Sequence, residues 1–280
     1  MHIDKIFIIN LPQRLERLEK IKDLLKNLEF IDNYEIYKAV NGNELSETEI
    51  NKLLSITSLH SLYVEANNHK DIRTKGAIGC YLSHYNLWNE MIKRNYDNVL
   101  IIEDDAEAEY NYDEIITCIN SIPNNYNIAL LSWFTLWFDK LENKKNKKVI
   151  NEYWDQYKSI NVFGTAIYML SKEGAQKLIK NAIPINYQVD AYINIMTFID
   201  DTFIRFVSSK NLFSSNNMGT DIQNKCKMCD ITEKINILFN KNYKIETFEL
   251  IENVNNYNFL ILVILFIMVI IYFNHKKNTF

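Results

Sequence analysis

The chain opens on an apolar run, Lys5 to Asn10 (KIFIIN), with the length of one strand and apolar side chains on both faces. Leu11-Pro12 closes it, because Pro has no amide hydrogen to give to a sheet ladder. Leu15, Leu18, Ile21, Leu24, Leu25 and Leu28 then recur at helical spacing with charges between them, which predicts an amphipathic helix. Tyr34 to Val40 predicts a second short strand, ended by the turn signal Asn41-Gly42. Residues 43 to 75 read as polar and irregular, with one helical stretch near Glu47 to Leu54. From Gly79 to Arg94 the period is helical again, and Cys80, His84, Leu87, Trp88 and Met91 fall on one side. Val99 to Ile102 predicts a central strand buried on both faces. Ile128 to Trp133 and Ala166 to Leu170 predict two more strands, and Ser171 stands where it can cap a helix running to Asn181. Strands alternating with helices define an α/β fold with a mainly parallel central sheet.

Phe259 to Phe273 departs from this pattern, being apolar throughout and followed by Asn274-His275-Lys276-Lys277. With Tyr257 and Asn258 it reaches 17 residues, the lower limit for a helix that spans a bilayer. A run that is uniformly apolar, without a polar face, favours a transmembrane helix over a core helix. Tyr257 and Tyr272 would sit at the two interfaces, with the lysines snorkelling to the headgroups. The expected organisation is a large α/β domain over residues 1–223, a stem or appended element over 224–256, a transmembrane helix over 257–273 and a short basic tail over 274–280. A span so near the C-terminus implies a tail-anchored membrane protein with its large domain in the cytosol.

Composition narrows the function classes. At 280 residues and 48% hydrophobic, the chain can bury a full core. Its net charge of -4 gives no basic excess and therefore no nucleic-acid footprint. Lys144, Lys145, Lys147 and Lys148 sit among Asn and Glu and read as a solvated loop. Cys80 and Cys118 lie in apolar segments and read as small buried hydrophobes. Cys226 and Cys229 have CxxC spacing, but no second pair follows to complete a zinc site.

The candidate chemistry lies in Glu103-Asp104-Asp105, directly after the central strand. Ligands of open α/β sheets bind outside the carboxyl ends of strands. Three adjacent carboxylates repel one another, and a divalent cation such as Mg²⁺ or Mn²⁺ relieves that repulsion while leaving positions for substrate phosphates. Because strand side chains alternate, Glu103 and Asp105 are expected to face the same way, leaving Asp104 to turn to a ribose or a neighbouring base. The triplet alone is equally compatible with a solvated acidic turn.

An ordered series of motifs surrounds it. Ile9-Asn10-Leu11 is followed by Arg14 and Arg17, then Ala39-Val40-Asn41-Gly42 and Gly79-Cys80-Tyr81-Leu82-Ser83-His84. After the acidic cluster come Gly164 through Tyr168, Ser171 with Gly174-Ala175, Asp190, and Gly219-Thr220-Asp221-Ile222. In order and spacing these resemble glycosyltransferase family 25, which includes bacterial lipopolysaccharide galactosyltransferases and collagen hydroxylysine galactosyltransferases. The resemblance implies a GT-A type nucleotide-binding sandwich. It further implies an inverting enzyme that moves a hexose, galactose or glucose, from a UDP-sugar to a hydroxyl of a glycan or protein acceptor. Mn²⁺ or Mg²⁺ would be held by Glu103 and Asp105. Asp190 is the first choice for the base that deprotonates the acceptor, with Asp200 and Asp201 as alternatives, and His84 joins Asp190 in the catalytic set. Arg14, Arg17, Ser83, Asp104 and Gly164 are the expected substrate contacts. Two positions depart from the family pattern: Ala77 stands where an acid precedes the Gly-Cys pair, and Asn41 replaces Asp in the A-V-D-G turn. The competing readings are a catalytically degenerate, membrane-anchored carbohydrate-binding or scaffold protein and, further off, a nucleotidyltransferase.

Overall fold

Alternation along the first strand sorts the molecule into two helical layers around one sheet. In the computed structural model, which describes residues 2–28, 33–64, 70–135, 147–157 and 161–215, strand β1 (Lys5–Asn10) sends Ile6 and Ile8 to one core and Phe7 and Ile9 to the other. The chain divides into two units, Met1–Asp230 and Ile231–Phe280, and all described residues belong to the first. The expectations placed on Gly219 to Ile222, the CxxC pair, the stem and the transmembrane helix fall outside the described residues. Among those that are described, no helix is long and apolar enough to cross a membrane.

Helix α1 (Leu15–Asn27) buries Leu18, Ile21, Leu24 and Leu25, as the periodicity predicts, whereas Leu15 at its first position is exposed. Strand β2 (Tyr34–Lys38) and a single 3₁₀ turn (Gly42–Glu44) follow. Helix α2 (Glu47–Leu53) starts with a full capping box between Ser46 and Glu49. Helix α3 (Ile56–Tyr63), capped by Ser55, occupies a segment expected to be irregular. It buries Ser58 and packs Leu59 and Leu62 against the core, and leaves Ile56 exposed. Helix α4 (Lys75–Lys93) begins four residues before the expected start, because Thr74 caps it by accepting from the Ala77 amide.

Next come β3 (Asn98–Glu103), β4 (Ala106–Ala108), α5 (Tyr112–Asn120) and β5 (Ile128–Leu130). They are followed by β6 (Lys147–Val149), β7 (Trp154–Tyr157) and β8 (Ile167–Ser171). The described chain closes with α6 (Lys172–Lys180), α7 (Val189–Ile199), β9 (Arg205–Ser208) and β10 (Phe213–Ser215). Ser171 caps α6 by accepting from Gly174 N, as its position suggests.

Eight strands form one sheet in the order β2-β1-β3-β8-β5-β9-β7-β6, and β4 pairs with β10 in a small second sheet. The expected mainly parallel sheet is in fact mixed. Strands β2, β1 and β3 run together, β9 runs with β5, and β8 and β7 run against all their neighbours. Six strands thus share one direction and two oppose it. The reversal of β8 matters for function. It begins where β3 ends, with Ile167 beside Ile102, so the residues just before β8 adjoin the acidic cluster. One face of the sheet packs on α4, α6 and α7, and the other on α1 and α5.

Two turns are held by reciprocal glycines. A Cβ on Gly79 would lie 2.5 Å from both Gly42 N and Val40 O. One on Gly42 would lie 1.7 Å from Lys75 O. The start of α4 therefore rests directly on the turn after β2, backbone on backbone. Gly79→Ala is expected to destabilise the protein by roughly 1–3 kcal/mol, because the obstructing atoms are main chain and cannot move aside alone. Thermal melting of the variant checks this.

Candidate active site

The acidic cluster divides between the two faces of the sheet. Along β3, Val99 and Ile101 face α4 while Leu100 and Ile102 face α1. The alternation carries on into the cluster. Glu103 meets His84 of α4, with His84 Nε2 3.2 Å from Glu103 Oε1. Asp104 meets Arg17 of α1, whose guanidinium donates to Oδ1 at 3.1 Å. Asn10, at the end of β1, donates to the other Asp104 oxygen at 2.6 Å. Both oxygens of Asp104 are thus engaged by the protein.

The three carboxyls differ electrostatically. Burial acts to push Glu103 up, but hydrogen bonds from His84 and Thr165, with the charges around it, hold it below the usual carboxylate range. Burial raises Asp104 despite its bonds to Asn10 and Arg17. Asp105 is pushed up to about 7 by burial and by the negative charges of Glu103 and Asp104. Its Oδ1 is buried without a hydrogen-bond partner. An unsatisfied, buried carboxylate oxygen beside an ionised Glu is a hard-oxygen donor set that suits Mg²⁺ or Mn²⁺. The residues present fit a divalent cation.

A cavity opens in front of this edge. Gln13, Arg17, Asn41, Cys80 and all three acids line it. Arg14 is not among its lining residues; it is the N-cap residue of α1, and its carbonyl accepts from Asn10. Arg17 lines the cavity from within its ion pair with Asp104, so its first partner is that acid. Ser83, expected as a substrate contact, is among the residues that line the cavity. Its buried hydroxyl accepts from Val40 N at 2.8 Å and donates to Gly79 O at 2.7 Å, fastening α4 to the turn after β2. His84, expected in the catalytic set, also lines the cavity. It is 0% exposed, and both ring nitrogens are engaged. Cys80, expected as a buried hydrophobe, is only half-buried; it lies one helical turn before His84 and lines the cavity. Burial, together with Glu103, Asp190 and Asp105, raises its thiol well above its ordinary value.

Gly164 sits just before β8 at φ 119°, a left-handed conformation that side chains rarely adopt, and a Cβ there would meet Ser132 O at 2.8 Å. Thr165 beside it bonds Glu103. Asp190 lies in the first turn of α7, where its carboxylate accepts from Ala191 N at 2.6 Å. Burial raises it to about 6, partly offset by that hydrogen bond. The negative charge of Glu103 adds to the rise, and Asp190 is not among the residues that line the cavity. Asp200 is at the opposite end of α7, roughly 15 Å along the helix axis. It is occupied with Thr202, which lowers it. Asp201 is exposed beside it. The sequence reading assigned no role to Asn10, Thr165 or Arg73. Burial lowers Arg73, and Asp71 and Asp190 pull it back up, so its guanidinium lies within electrostatic reach of Asp190.

Position 77 lies in the first turn of α4. It is the third residue after the cap Thr74, where an acid would complete a capping box. Ala77 contributes only its amide, which donates to Thr74 Oγ1 at 3.1 Å.

An α/β sheet that presents carboxylates and a cavity at the carboxyl ends of its strands has the layout of a ligand-binding α/β fold. Residues 3–193 match the family model described as "Glycosyltransferase family 25 (LPS biosynthesis protein)", and the chain belongs to glycosyltransferase family 25. Procollagen galactosyltransferase 2 of Homo sapiens is 30% identical over 199 residues, covering 70% of this chain and 30% of that protein. A glycosyltransferase 25 family member of Drosophila melanogaster is 32% identical over 70% of this chain and 31% of its own length. The chain therefore matches less than a third of the length of these relatives. The crystal structure of a glycosyltransferase involved in the glycosylation of the major capsid of PBCV-1 covers 84% of this chain and 100% of its own at 14% identity. Its TM-score of 0.32 is too low to bear on fold or function.

Proposed function

We propose that this protein is a metal-dependent, inverting hexosyltransferase of the GT-A type, transferring galactose or glucose from a UDP-sugar to a hydroxyl of a glycan or protein acceptor. The observation that carries this reading is that Glu103 and Asp105 both line the cavity, with a buried Asp105 oxygen that has no partner. Membership of the family and the galactosyltransferase names of its relatives support the choice of a hexose. Glu103 and Asp105 would hold Mn²⁺ or Mg²⁺. When bound, the cation neutralises charge building on the leaving diphosphate.

The chain's own residues do the rest. Asp190 accepts the proton of the acceptor hydroxyl, and the acceptor oxygen attacks the anomeric carbon from the face opposite the diphosphate. The bond from that carbon to the diphosphate oxygen breaks, and UDP leaves with the electron pair. Asp104, held by Asn10 and Arg17, fixes the end of β1 and the start of α1 where the nucleotide would lie.

Incubation with UDP-galactose and UDP-glucose in Mn²⁺, with mass spectrometry of the products, is expected to show metal-dependent UDP release for one donor and loss of that release on chelation. Neither turnover nor metal-dependent UDP binding in the wild type would leave a non-catalytic binding or scaffold role as the better reading. Residues 257–273 are proposed as a membrane anchor, with the catalytic domain on the cytosolic side. Fractionation with and without residues 257–280 tests this, and an unchanged soluble pool would refute it.

A further inference from the structure

The deepest part of the site is a single file of hydrogen bonds that runs away from the cavity. Trp88 Nε1 donates to the Tyr168 hydroxyl at 3.0 Å. That hydroxyl lies 2.9 Å from His84 Nδ1, and His84 Nε2 lies 3.2 Å from Glu103 Oε1. Trp88, Tyr168 and His84 are all 0% exposed, so the Trp88–Tyr168–His84 contacts lie away from solvent.

Counting hydrogens fixes their direction. An indole nitrogen only donates, so the Tyr168 oxygen is an acceptor toward Trp88. The hydroxyl then has one hydrogen, and the acceptor beside it is His84 Nδ1. If Nδ1 carried a hydrogen instead, as in the other tautomer or in imidazolium, the buried hydroxyl hydrogen would be left without an acceptor. Nδ1 therefore accepts, the hydrogen sits on Nε2, and Nε2 donates to Glu103.

We propose that His84 is a positioning residue whose Nε2–H, set by Trp88 and Tyr168, holds Glu103 in the orientation from which it binds the divalent cation. The inference rests on the metal reading of Glu103 and Asp105 given above. It also settles the role of a neighbouring cluster. Ligand atoms of Cys80, His84 and Glu103 lie within 4.8 Å of one another, a spacing that would otherwise suit a softer ion. Ligation through Nε2 would force the hydrogen onto Nδ1 and orphan the Tyr168 hydroxyl. His84 serves Glu103, and the ion is left to the carboxylates.

The two amide replacements of His separate this role from simple packing. In His84→Gln the side-chain amide nitrogen reaches the place of Nε2 and still donates to Glu103. In His84→Asn the shorter amide stops near Nδ1 and does not reach it. The readout is the Mn²⁺ concentration that half-restores UDP binding, measured by calorimetry on protein whose melting confirms a folded state. His84→Asn is expected to raise it about 10–100-fold, the usual effect of losing a partner that orients a metal ligand. His84→Gln is expected to stay within about threefold of wild type. Tyr168→Phe, which frees the tautomer without touching Glu103, is expected to raise it as well, and it carries the test if His84→Asn does not fold. Equal values for Asn and Gln, or no change in Tyr168→Phe, overturn the inference alone. A wild type with no Mn²⁺-dependent UDP binding overturns the metal reading, and this inference with it.

Discussion

Replacing Asp105 by Asn is expected to raise the melting temperature of the metal-free protein at pH 8 and to reduce sugar transfer by about 10²–10³-fold. The two effects have one cause. Asp105 is crowded by Glu103 and Asp104 and has a buried oxygen without a partner, and its pKa stands at about 7 against the ordinary 3.8. A carboxyl raised by folding resists ionisation in the folded state, so its cost to stability appears as pH rises through 4 to 7 and is absent below that window. Asn carries no charge, and its gain should therefore be present at pH 8 and vanish near pH 4. A gain of about 0.5–2 kcal/mol is in keeping with removal of such a functional liability. For a domain of this size that is about 2–4 °C in melting temperature per kcal/mol. Mn²⁺ should stabilise the wild type and not the variant. An Asp105→Asn protein that melts at the wild-type temperature at both pH values would remove the claim that the cluster is strained without a cation.

The acidic triplet was legible because it follows an apolar run too uniform to be anything but a central strand. Its division of labour was not legible. Which acid meets which helix depends on the faces that α1 and α4 cover, and a strand buried on both faces carries no polarity to tell them apart. Arg17 illustrates this. Its sequence position just past β1 pointed to a ligand, but the alternation along β3 delivers Asp104 to the same face, and the ion pair forms within the protein. His84 was visible as a polar residue on an apolar helix. Its partners Trp88 and Tyr168 were not, since an indole or phenol in a hydrophobic stretch reads as core until its polar tip is seen to have a mate. The direction of β8 was hidden for a similar reason: five apolar residues look the same in a parallel or antiparallel strand. That reversal brings Gly164 and Thr165 to the carboxyl edge beside Glu103. Helix α3 was missed because it buries a Ser and exposes an Ile, which blurs the pattern that periodicity detects.

Asp190→Asn is expected to lower transfer by about 10²–10⁴-fold while leaving Mn²⁺-dependent UDP binding close to wild type. The carboxylate oxygen that accepts from Ala191 N has a counterpart in the Asn side-chain carbonyl, so the first turn of α7 keeps its hydrogen bond. What the variant lacks is the ability to take a proton. In the wild type the group titrates at about 6, raised by burial, and only the ionised form serves as a base. Activity should therefore hold above that value and fall as pH drops through it. Asp200→Asn, by contrast, alters a carboxylate engaged with Thr202 at the far end of the helix. It should leave the rate and its pH profile unchanged. The pair distinguishes a base at the reacting centre from an acid that happens to lie in the same segment. If Asp190→Asn turns over at the wild-type rate, or keeps an acidic limb at the same pH, the proton must be taken by another group.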